Sequence, residues 1–207
     1  MKTKTKKPEP VSIRPALGEL EKLFNLFAPL FPEPLTAPII TIQTRGRKNA
    51  LGWYKPQTWQ NGGRDTLPEL NISAESLARG VPEIADTVLH EMVHHWNRLH
   101  GIKDCSGNQY HSKKFKAGCD LVGLKCEKME GHGWAATSLS DKQRAIVKKA
   151  GIKDEAFHLF RLADHGGKGP GSRMKKWTCP CGTIIRAAGE ISVRCNECGE
   201  DFERDED

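Results

Sequence analysis

Two histidines and a glutamate near the middle of the chain have the spacing of a metal site. His90, Glu91 and His94 read H-E-x-x-H. Residues four apart on a helix lie on one face, one turn apart, so both imidazoles can reach one zinc ion. Glu91 lies about 100° around the helix, which puts its carboxylate beside the metal rather than on it. There it can accept a proton from a zinc-bound water, whose pKa zinc lowers to about 7.

The segment that carries this motif has the strongest helix signal in the sequence. It reads VPEIADTVLHEMVHHWNRLHG, with Pro82 in the first turn, Glu83 near the positive end of the helix dipole and Gly101 as a C-terminal stop. Apolar residues cover more than one side of it, which predicts burial. Because a buried polar group needs a partner, this setting favours a metal site over two solvent-facing histidines that match the pattern by chance.

A catalytic zinc ion has three protein ligands and one open position, so a third ligand is expected downstream. His95 and His100 follow His94 on the same helix but point off the ligand face. His111 opens a new helix after a loop, where the chain can fold back over the metal, and we predict it as the third ligand. His132, in the sequence GHGW, is the alternative ligand. A helix cap or a surface position is the alternative role for His111.

Two more polar residues near the motif are candidates for supporting roles. Asp86 lies one turn before His90 and can hydrogen-bond a ligand imidazole to fix its tautomer, or it is an ordinary exposed helical residue. Tyr110 is close to the site in sequence and is a candidate oxyanion donor.

The cysteines near the end of the chain form a second metal-ligand pattern. They are Cys179, Cys181, Cys195 and Cys198. Each pair is followed at once by glycine, which lets the backbone turn around a metal, and four thiolates at tetrahedral distance make a closed, structural zinc site. TIIR and ISVR between the pairs read as the strands of a hairpin. A redox pair is the alternative, but it does not call for four cysteines with matched glycines.

Basic residues around the cysteine pattern suggest a nucleic-acid surface. The chain has a formal net charge of +6, and residues 139–176 are rich in Lys and Arg. Phosphate contacts and a stacking ring are predicted from Lys175, Lys176, Trp177, Arg186 and Arg194. The acidic end GEDFERDED argues against a module that faces DNA throughout, and a solvated charged surface is the alternative. DNA is therefore a candidate partner beside a protein substrate.

The rest of the sequence predicts the elements that position the histidines. LGELEKLFNLFAPLF, from Leu17, has helical spacing. Three short runs, APIITIQT, ALGWYKPQTW and ELNIS, read as strands of a small antiparallel sheet. HSKKFKAGCDLVGL reads as the helix that His111 opens, and SDKQRAIVKKAG as another helix, capped by Ser140 and stopped by Gly151. The expected fold class is α+β.

These signals divide the chain into four stretches. Residues 1–16 read as a basic disordered tail, 17–150 as the metal-binding domain, 151–175 as a basic Gly-rich linker and 176–207 as the cysteine unit with an acidic end. No apolar stretch resembles a secretory signal or a membrane span. The odd total of seven cysteines argues against a disulfide framework. We expect a cytoplasmic protein if it is bacterial or phage-like, a nuclear one if it is eukaryotic, and leave its oligomeric state open.

The order of strand, TVLHEMVHHW helix, loop and YHSKKF resembles the SprT-like metallopeptidases, which include the eukaryotic Spartan proteases. The family's H-E-M-x-H is matched by His90, Glu91, Met92 and His94. Its H-G-x-x-F-like segment is matched by His111 and Phe115, with Ser112 where the family often has Gly. That departure leaves ligation undisturbed, since position 112 offers no ligand in either case. The resemblance covers roughly residues 17–130 and extends to the cysteine module.

The resemblance implies a minimal zincin-like core, a C-terminal zinc ribbon, zinc ligation by His111 and peptidase activity. For the Spartan branch it implies cleavage of proteins crosslinked to DNA, although the short chain looks more like bacterial and phage members. We expect a zinc metallopeptidase in which Glu91 takes a proton from the attacking water and returns it to the leaving amine. The alternatives are a nucleic-acid-binding protein that uses the core as a scaffold, and a zinc hydrolase acting on a non-peptide bond.

Overall fold

The computed structural model describes residues 10–44, 50–63, 65–106, 109–162 and 174–205. The protein has an α+β fold and divides into two compact units, residues 1–163 and 164–207. The helices are α1 Arg14–Phe27, α2 Val81–Leu99, α3 Lys113–Val122 and α4 Asp141–Ala150. The strands of the first unit are β1 Ile39–Gln43, β2 Gly52–Gln60, β3 Thr66–Ser73, β4 Lys125–Met129 and β5 Gly133–Ser138. Within these described ranges, no helix is long and apolar enough to cross a membrane.

Helix α1 covers one side of the first unit's core. Proline is favourable in its first turn, where the missing N–H has no helical partner to lose. Leu20, Leu23 and Phe27 recur at helical spacing and are fully buried. The helix starts at Arg14 rather than at Leu17, so the end of the predicted 1–16 tail is helical. Residues 1–9 of that tail lie outside the described residues.

The sheet beside this core is mixed, which corrects the prediction of an antiparallel one. Its strand order is β1-β3-β2, with β2 antiparallel to β3 and β1 parallel to β3. A short connection joins β2 to β3 and enforces antiparallel pairing, but β1 reaches the opposite edge of β3 by a crossing connection. Strand direction is not encoded in a run of β-branched residues, which is why the sequence pattern misses it.

Helix α2 carries the histidine motif through the centre of the first unit. It packs on α1, on strands β2 and β3, on α3 and on β5. Ile84, Val88 and Met92 are fully buried. The predicted burial on more than one side is therefore confirmed, and α2 also buries four polar residues, which are Thr87, Glu91, His95 and Asn97.

A hairpin of β4 and β5 follows α3, and the sequence analysis did not anticipate it. The two strands pair antiparallel, with an irregularity between Glu127 and Met129. Helix α4 then begins with the predicted cap: Ser140 and Gln143 form a reciprocal capping box, in which the Ser140 backbone N–H donates to Oε1 of Gln143 over 2.8 Å. Strand β5 packs on α2, which brings the hairpin to the histidine motif.

The predicted linker over 151–175 begins later than expected. Ile152 packs on the core of the first unit, and Phe157, at the end of a short 3₁₀ turn, is buried in it. An aromatic ring inside a core anchors the backbone on either side of it, so residues 151–157 belong to the first unit. Residues 163–173 lie outside the described residues.

The second unit is a three-stranded sheet with a small core. Its strands are β6 Lys175–Thr178, β7 Ile184–Ala187 and β8 Glu203–Arg204, in the order β7-β6-β8. Its buried residues are Trp177, Cys179, Cys195 and Phe202. The predicted hairpin of TIIR with ISVR is wrong: β7 pairs with β6 instead, and ISVR forms no strand beyond one bridge between Arg194 and Asp201. The chain after β7 returns the second cysteine pair to the first.

Candidate metal centres

Three imidazoles converge where α2, the start of α3 and the β4–β5 hairpin meet. Nε2 of His111 lies 3.1 Å from Nε2 of His90 and 3.1 Å from Nε2 of His94. A tetrahedral ion with metal–nitrogen bonds of about 2.05 Å holds two ligand nitrogens about 3.3 Å apart, so the spacing fits one shared ion. Unprotonated ring nitrogens facing each other this closely repel unless a cation lies between them. The three histidines can therefore hold a metal ion.

His94 is oriented by a buried carboxylate that the sequence analysis missed. Oδ2 of Asp104 lies 2.8 Å from Nδ1 of His94 and also accepts a hydrogen bond of 2.8 Å from Nδ2 of Asn97. Burial alone would raise the pKa of Asp104, but the hydrogen bond and charge of His94, together with the hydrogen bond from Asn97, leave this pKa below its ordinary value. An ionised Asp104 can only accept, so Nδ1 of His94 carries the proton and Nε2 presents its lone pair.

His90 is oriented through an intermediary. Its Nδ1 lies 3.2 Å from Oγ1 of Thr137, and that hydroxyl donates to Oδ2 of Asp86 over 3.2 Å. Asp86 thus reaches the His90 imidazole through Thr137 rather than by the direct hydrogen bond that its position on α2 suggested. Burial raises the pKa of Asp86 to about 6.

His111 is held by its backbone rather than by its side chain. Its N–H donates to the carbonyl of His132 over 2.9 Å, and its carbonyl accepts from the N–H of Trp134 over 3.0 Å. His132, the alternative third ligand, therefore supports His111 through its carbonyl. Nδ1 of His111 is buried without a hydrogen-bond partner. Burial, and then the charge of His94, lower the pKa of His111 to about 4, which keeps it in the neutral, metal-binding form.

Phe115 packs against all three imidazoles. Its ring centroid lies 4.6 Å from that of His90, 4.4 Å from that of His94 and 4.6 Å from that of His111, and its side chain is fully buried. An apolar wall on one side of the nitrogens excludes water from that side and limits rotation of the rings.

Glu91 is buried next to the histidines, where α2 meets β2. Gly52 of β2 comes so close that a Cβ there would lie 3.3 Å from Cγ of Glu91 and 2.7 Å from a backbone oxygen of β3. Burial raises the pKa of Glu91 to about 7, although His94 and a hydrogen bond from the Tyr54 backbone N–H oppose the rise. A carboxylate with a pKa near neutrality can both accept and return a proton.

Two neighbouring histidines, His95 in α2 and His100 directly after it, do not join the cluster. His95 is fully buried, with Nε2 2.7 Å from the Thr36 carbonyl and Nδ1 without a partner. His100 contacts the Trp96 carbonyl and Glu33 at the end of the helix. The prediction that these two rings point off the ligand face is confirmed.

The burial of His95 predicts a pH-dependent stability. Burial lowers the pKa of His95 in the fold, so below about pH 6.5 the unfolded chain binds a proton that the folded chain resists. The free energy of unfolding of the metal-free chain should therefore fall as the pH drops. Glutamine in His95→Gln can still donate to the Thr36 carbonyl but does not titrate. The free energy of unfolding of this variant should therefore fall less steeply with pH, and the two slopes should differ by up to about 1.4 kcal/mol per pH unit. Urea unfolding from about pH 7.5 to pH 5 measures both slopes, and parallel curves would contradict the prediction.

The four cysteines of the second unit converge as predicted. Sγ of Cys179 lies 3.1 Å from Sγ of Cys198 and 3.4 Å from Sγ of Cys181, which lies 3.7 Å from Sγ of Cys195. Tetrahedral zinc–sulfur bonds of about 2.3 Å place sulfurs about 3.8 Å apart, so this group too can hold one metal ion. Hydrogen bonds with Thr183 lower the pKa of the Cys181 thiol, which favours the thiolate that binds metal.

Cys195→Ser should unfold the second unit alone. Within residues 174–205 this unit buries only four side chains, so its fold is expected to depend on a bound metal ion. We expect bound zinc to fall from about two to about one per chain, with the amide NMR signals of residues 174–205 moving to random-coil positions. Cys105→Ser, outside both clusters, is the matched control and should change neither readout. Retention of dispersed signals in Cys195→Ser would rule out a metal-dependent fold.

The residues predicted to contact nucleic acid are mostly engaged within the second unit. Lys175 pairs with Glu190 and Lys176 with Asp205, and Arg194 lies 3.8 Å from Asp201. Arg186 is exposed on β7. Trp177 is 7 % exposed and packs with Cys179, Cys195 and Phe202, so its ring is not available to stack on a base as predicted. The tryptophan ring fills the small core next to the cysteine cluster instead.

No family model, no curated protein and no solved structure matches the chain. The chemistry available to the two centres therefore has to be inferred from their own residues.

Proposed function

We propose that the chain is a zinc-dependent metallopeptidase with one catalytic and one structural zinc ion. The observation that carries the proposal is the convergence of three imidazole rings beside a buried glutamate, with Nε2 of His111 lying 3.1 Å from Nε2 of His90 and 3.1 Å from Nε2 of His94. Three histidines leave one position of a tetrahedral ion open, whereas four cysteines close it. The histidine site is therefore the catalytic one and the cysteine site the structural one.

The residues around the histidine site divide the work of peptide hydrolysis. When bound, the ion is a Lewis acid that polarises a carbonyl and makes water a nucleophile near neutral pH. Glu91 takes the proton of the attacking water and later delivers it to the departing amine. Its pKa of about 7, raised by burial, suits both transfers. Asp104 and Thr137 hold His94 and His90 so that Nε2 of each ring faces the site.

The edge of β2 supports a peptide as the substrate. Among the described residues, no strand pairs with β2 on the side opposite β3. The Tyr54 backbone N–H hydrogen-bonds Glu91, so this free edge borders the proposed base. An extended peptide can add to such an edge through main-chain hydrogen bonds. An irregularity between Lys55 and Trp59 interrupts β2, so Gly52–Lys55 is the regular stretch of this edge that lies next to Glu91.

The same proposal includes a minimal zincin-like core in the first unit and a zinc ribbon in the second. It rests on the residues of the H-E-M-x-H and H-S-x-x-F segments, which resemble those of SprT-like metallopeptidases. The resemblance to the Spartan branch makes DNA-associated proteins a candidate substrate class for this chain. The lysines of the second unit do not support it, because Lys175 and Lys176 are paired with acidic side chains.

Two alternatives differ in what they ask of Glu91. A nucleic-acid-binding scaffold needs the metal ion but no carboxylate beside it. A buried carboxyl group that has no function only lowers the stability of the fold. Glu91 therefore favours the enzyme. A zinc hydrolase acting on another bond has the same ligand set, and the free edge of β2 is the feature that favours a peptide.

Digestion of casein and self-cleavage, each with and without single- and double-stranded DNA, test this proposal. The zinc-loaded chain should cleave, the chelator-treated chain should not, and added zinc should restore cleavage. DNA stimulation would support the Spartan-like branch. A zinc-loaded chain that cleaves no protein under any of these conditions would contradict a general peptidase.

A further inference from the structure

A hydrogen-bonded chain runs from helix α2 through the hairpin and back to a ligand histidine. It starts at Asp86, passes through the Thr137 hydroxyl on β5 and ends at Nδ1 of His90, with a distance of 3.2 Å at each step. Asp86 and His90 are one turn apart on α2, so the hydroxyl bridges two residues of a single helix face. No step of the proposed hydrolysis uses Asp86.

The order of donors along this chain is fixed by its chemistry. The Thr137 hydroxyl has one hydrogen, which it donates to Oδ2 of Asp86. Its oxygen is then left to accept, so the proton on His90 must lie on Nδ1. The lone pair of Nε2 consequently faces His111 and the metal position. Reversing the Thr137 hydroxyl would place the proton on Nε2, the form that cannot bind a metal.

The surroundings of Asp86 leave Thr137 as its principal direct contact. Oδ1 of Asp86 is buried without a hydrogen-bond partner. Arg79 and Arg144 stabilise the carboxylate through their charges, but Nη2 of Arg79 donates to Thr87 rather than to Asp86. A partly buried carboxylate whose Oδ1 has no hydrogen-bond partner costs stability, and that cost is understandable if its one hydrogen bond orients a functional group.

We propose that Thr137 and Asp86 are positioning residues, which lock His90 in the tautomer that binds zinc. The inference rests on the zinc site of the proposed function but not on peptidase activity. It also gives the hairpin a role: the first residue of β5, Gly133, abuts His111, and Thr137 near its other end holds His90. One strand thus supports two of the three proposed ligands, while Asp104 supports the third.

The test compares Thr137→Val with Thr137→Ser in the full chain. Valine keeps the shape but removes the hydroxyl, whereas serine keeps the hydroxyl and loses a methyl group. Zinc binding at this site is followed by the imidazole nitrogen NMR signals of His90, His94 and His111 in zinc-buffered titrations. We expect zinc affinity to fall roughly 10- to 100-fold in Thr137→Val and to stay within about threefold of the original in Thr137→Ser. The metal-free His90 should change from a pure Nδ1–H tautomer to a mixture in Thr137→Val only.

Three results would overturn the inference. If Thr137→Val kept the zinc affinity and the His90 tautomer of the original chain, the Thr137 hydroxyl would not position His90. If Thr137→Val and Thr137→Ser bound zinc equally weakly, the effect would be one of packing. If the imidazole signals of the original chain did not respond to zinc, the proposed function would fail together with the inference. If thermal unfolding shows that Thr137→Val is not folded, Asp86→Asn provides the same test, because asparagine keeps the shape of the side chain. We expect weaker zinc binding and a mixture of His90 tautomers in that variant.

Discussion

Glu91→Gln is expected to keep both zinc ions and to lose about 10²- to 10⁴-fold of its peptide cleavage rate. The side chain of glutamine fills the same buried space but cannot take a proton. The three histidines and their supporting residues are untouched, so zinc binding should persist. Burial raises the pKa of Glu91 because the fold disfavours its charged form. The neutral glutamine should therefore leave the fold at least as stable near neutral pH.

The matched control for this variant is Glu83→Gln. Glu83 lies on the same helix, in its exposed first turn, and loses the same charge when it is replaced. Its cleavage rate should stay close to that of the original chain. Rates are compared at equal zinc content, measured by mass spectrometry. Equal cleavage by Glu91→Gln and the original chain would remove Glu91 as the base while leaving the metal site in place.

Gly133→Ala is expected to empty the histidine site and abolish cleavage. A Cβ at this position would lie 2.1 Å from the His111 carbonyl oxygen and 3.0 Å from the Tyr110 ring, and the residue has a φ of +67°. Left-handed backbone alone costs about 1 kcal/mol in a non-glycine residue, and a backbone oxygen at 2.1 Å must move. Because the same carbonyl pairs with Trp134, the movement displaces His111 from the other two imidazoles.

Gly131→Ala separates the clash from the backbone strain. Gly131 lies in the turn that joins β4 to β5 and has a φ of +72°, but a Cβ there would meet no atom within 4 Å. It should lose some stability and keep its zinc. Gly133→Ala should bind about one zinc ion per chain, at the cysteine site, where the original binds about two. Equal zinc content in the two variants would show that the hairpin does not hold His111.

The parts of the site that are local in sequence could be predicted from it. Helical spacing alone brings His90 and His94 to one face of α2, and the cysteine pairs with their glycines indicate a closed site. The start of α3 at Lys113 follows from local capping by Ser112, since Oγ of Ser112 accepts from the Lys114 backbone N–H. The sequence pattern predicts that His111 opens this helix; it lies just before the cap instead, and its ring still meets those of His90 and His94.

The residues that support these ligands could not be predicted because tertiary contacts bring them there. Thr137 lies on a hairpin that the sequence analysis missed, since β4 is largely exposed and has no alternating apolar pattern. Asp104 lies in a loop without regular structure, where sequence spacing says nothing about its distance to His94. Trp177 looks like a surface stacking residue beside two lysines, yet the cysteine unit has few other large side chains with which to build a core.

Diffraction from crystals of the zinc-loaded chain, measured on both sides of the zinc absorption edge, tests the central claim most directly. We predict an anomalous peak about 2.1 Å from Nε2 of His90, His94 and His111, and a second peak among the four sulfurs as an internal standard. A peak at the cysteines with none between the imidazoles would contradict a catalytic zinc site.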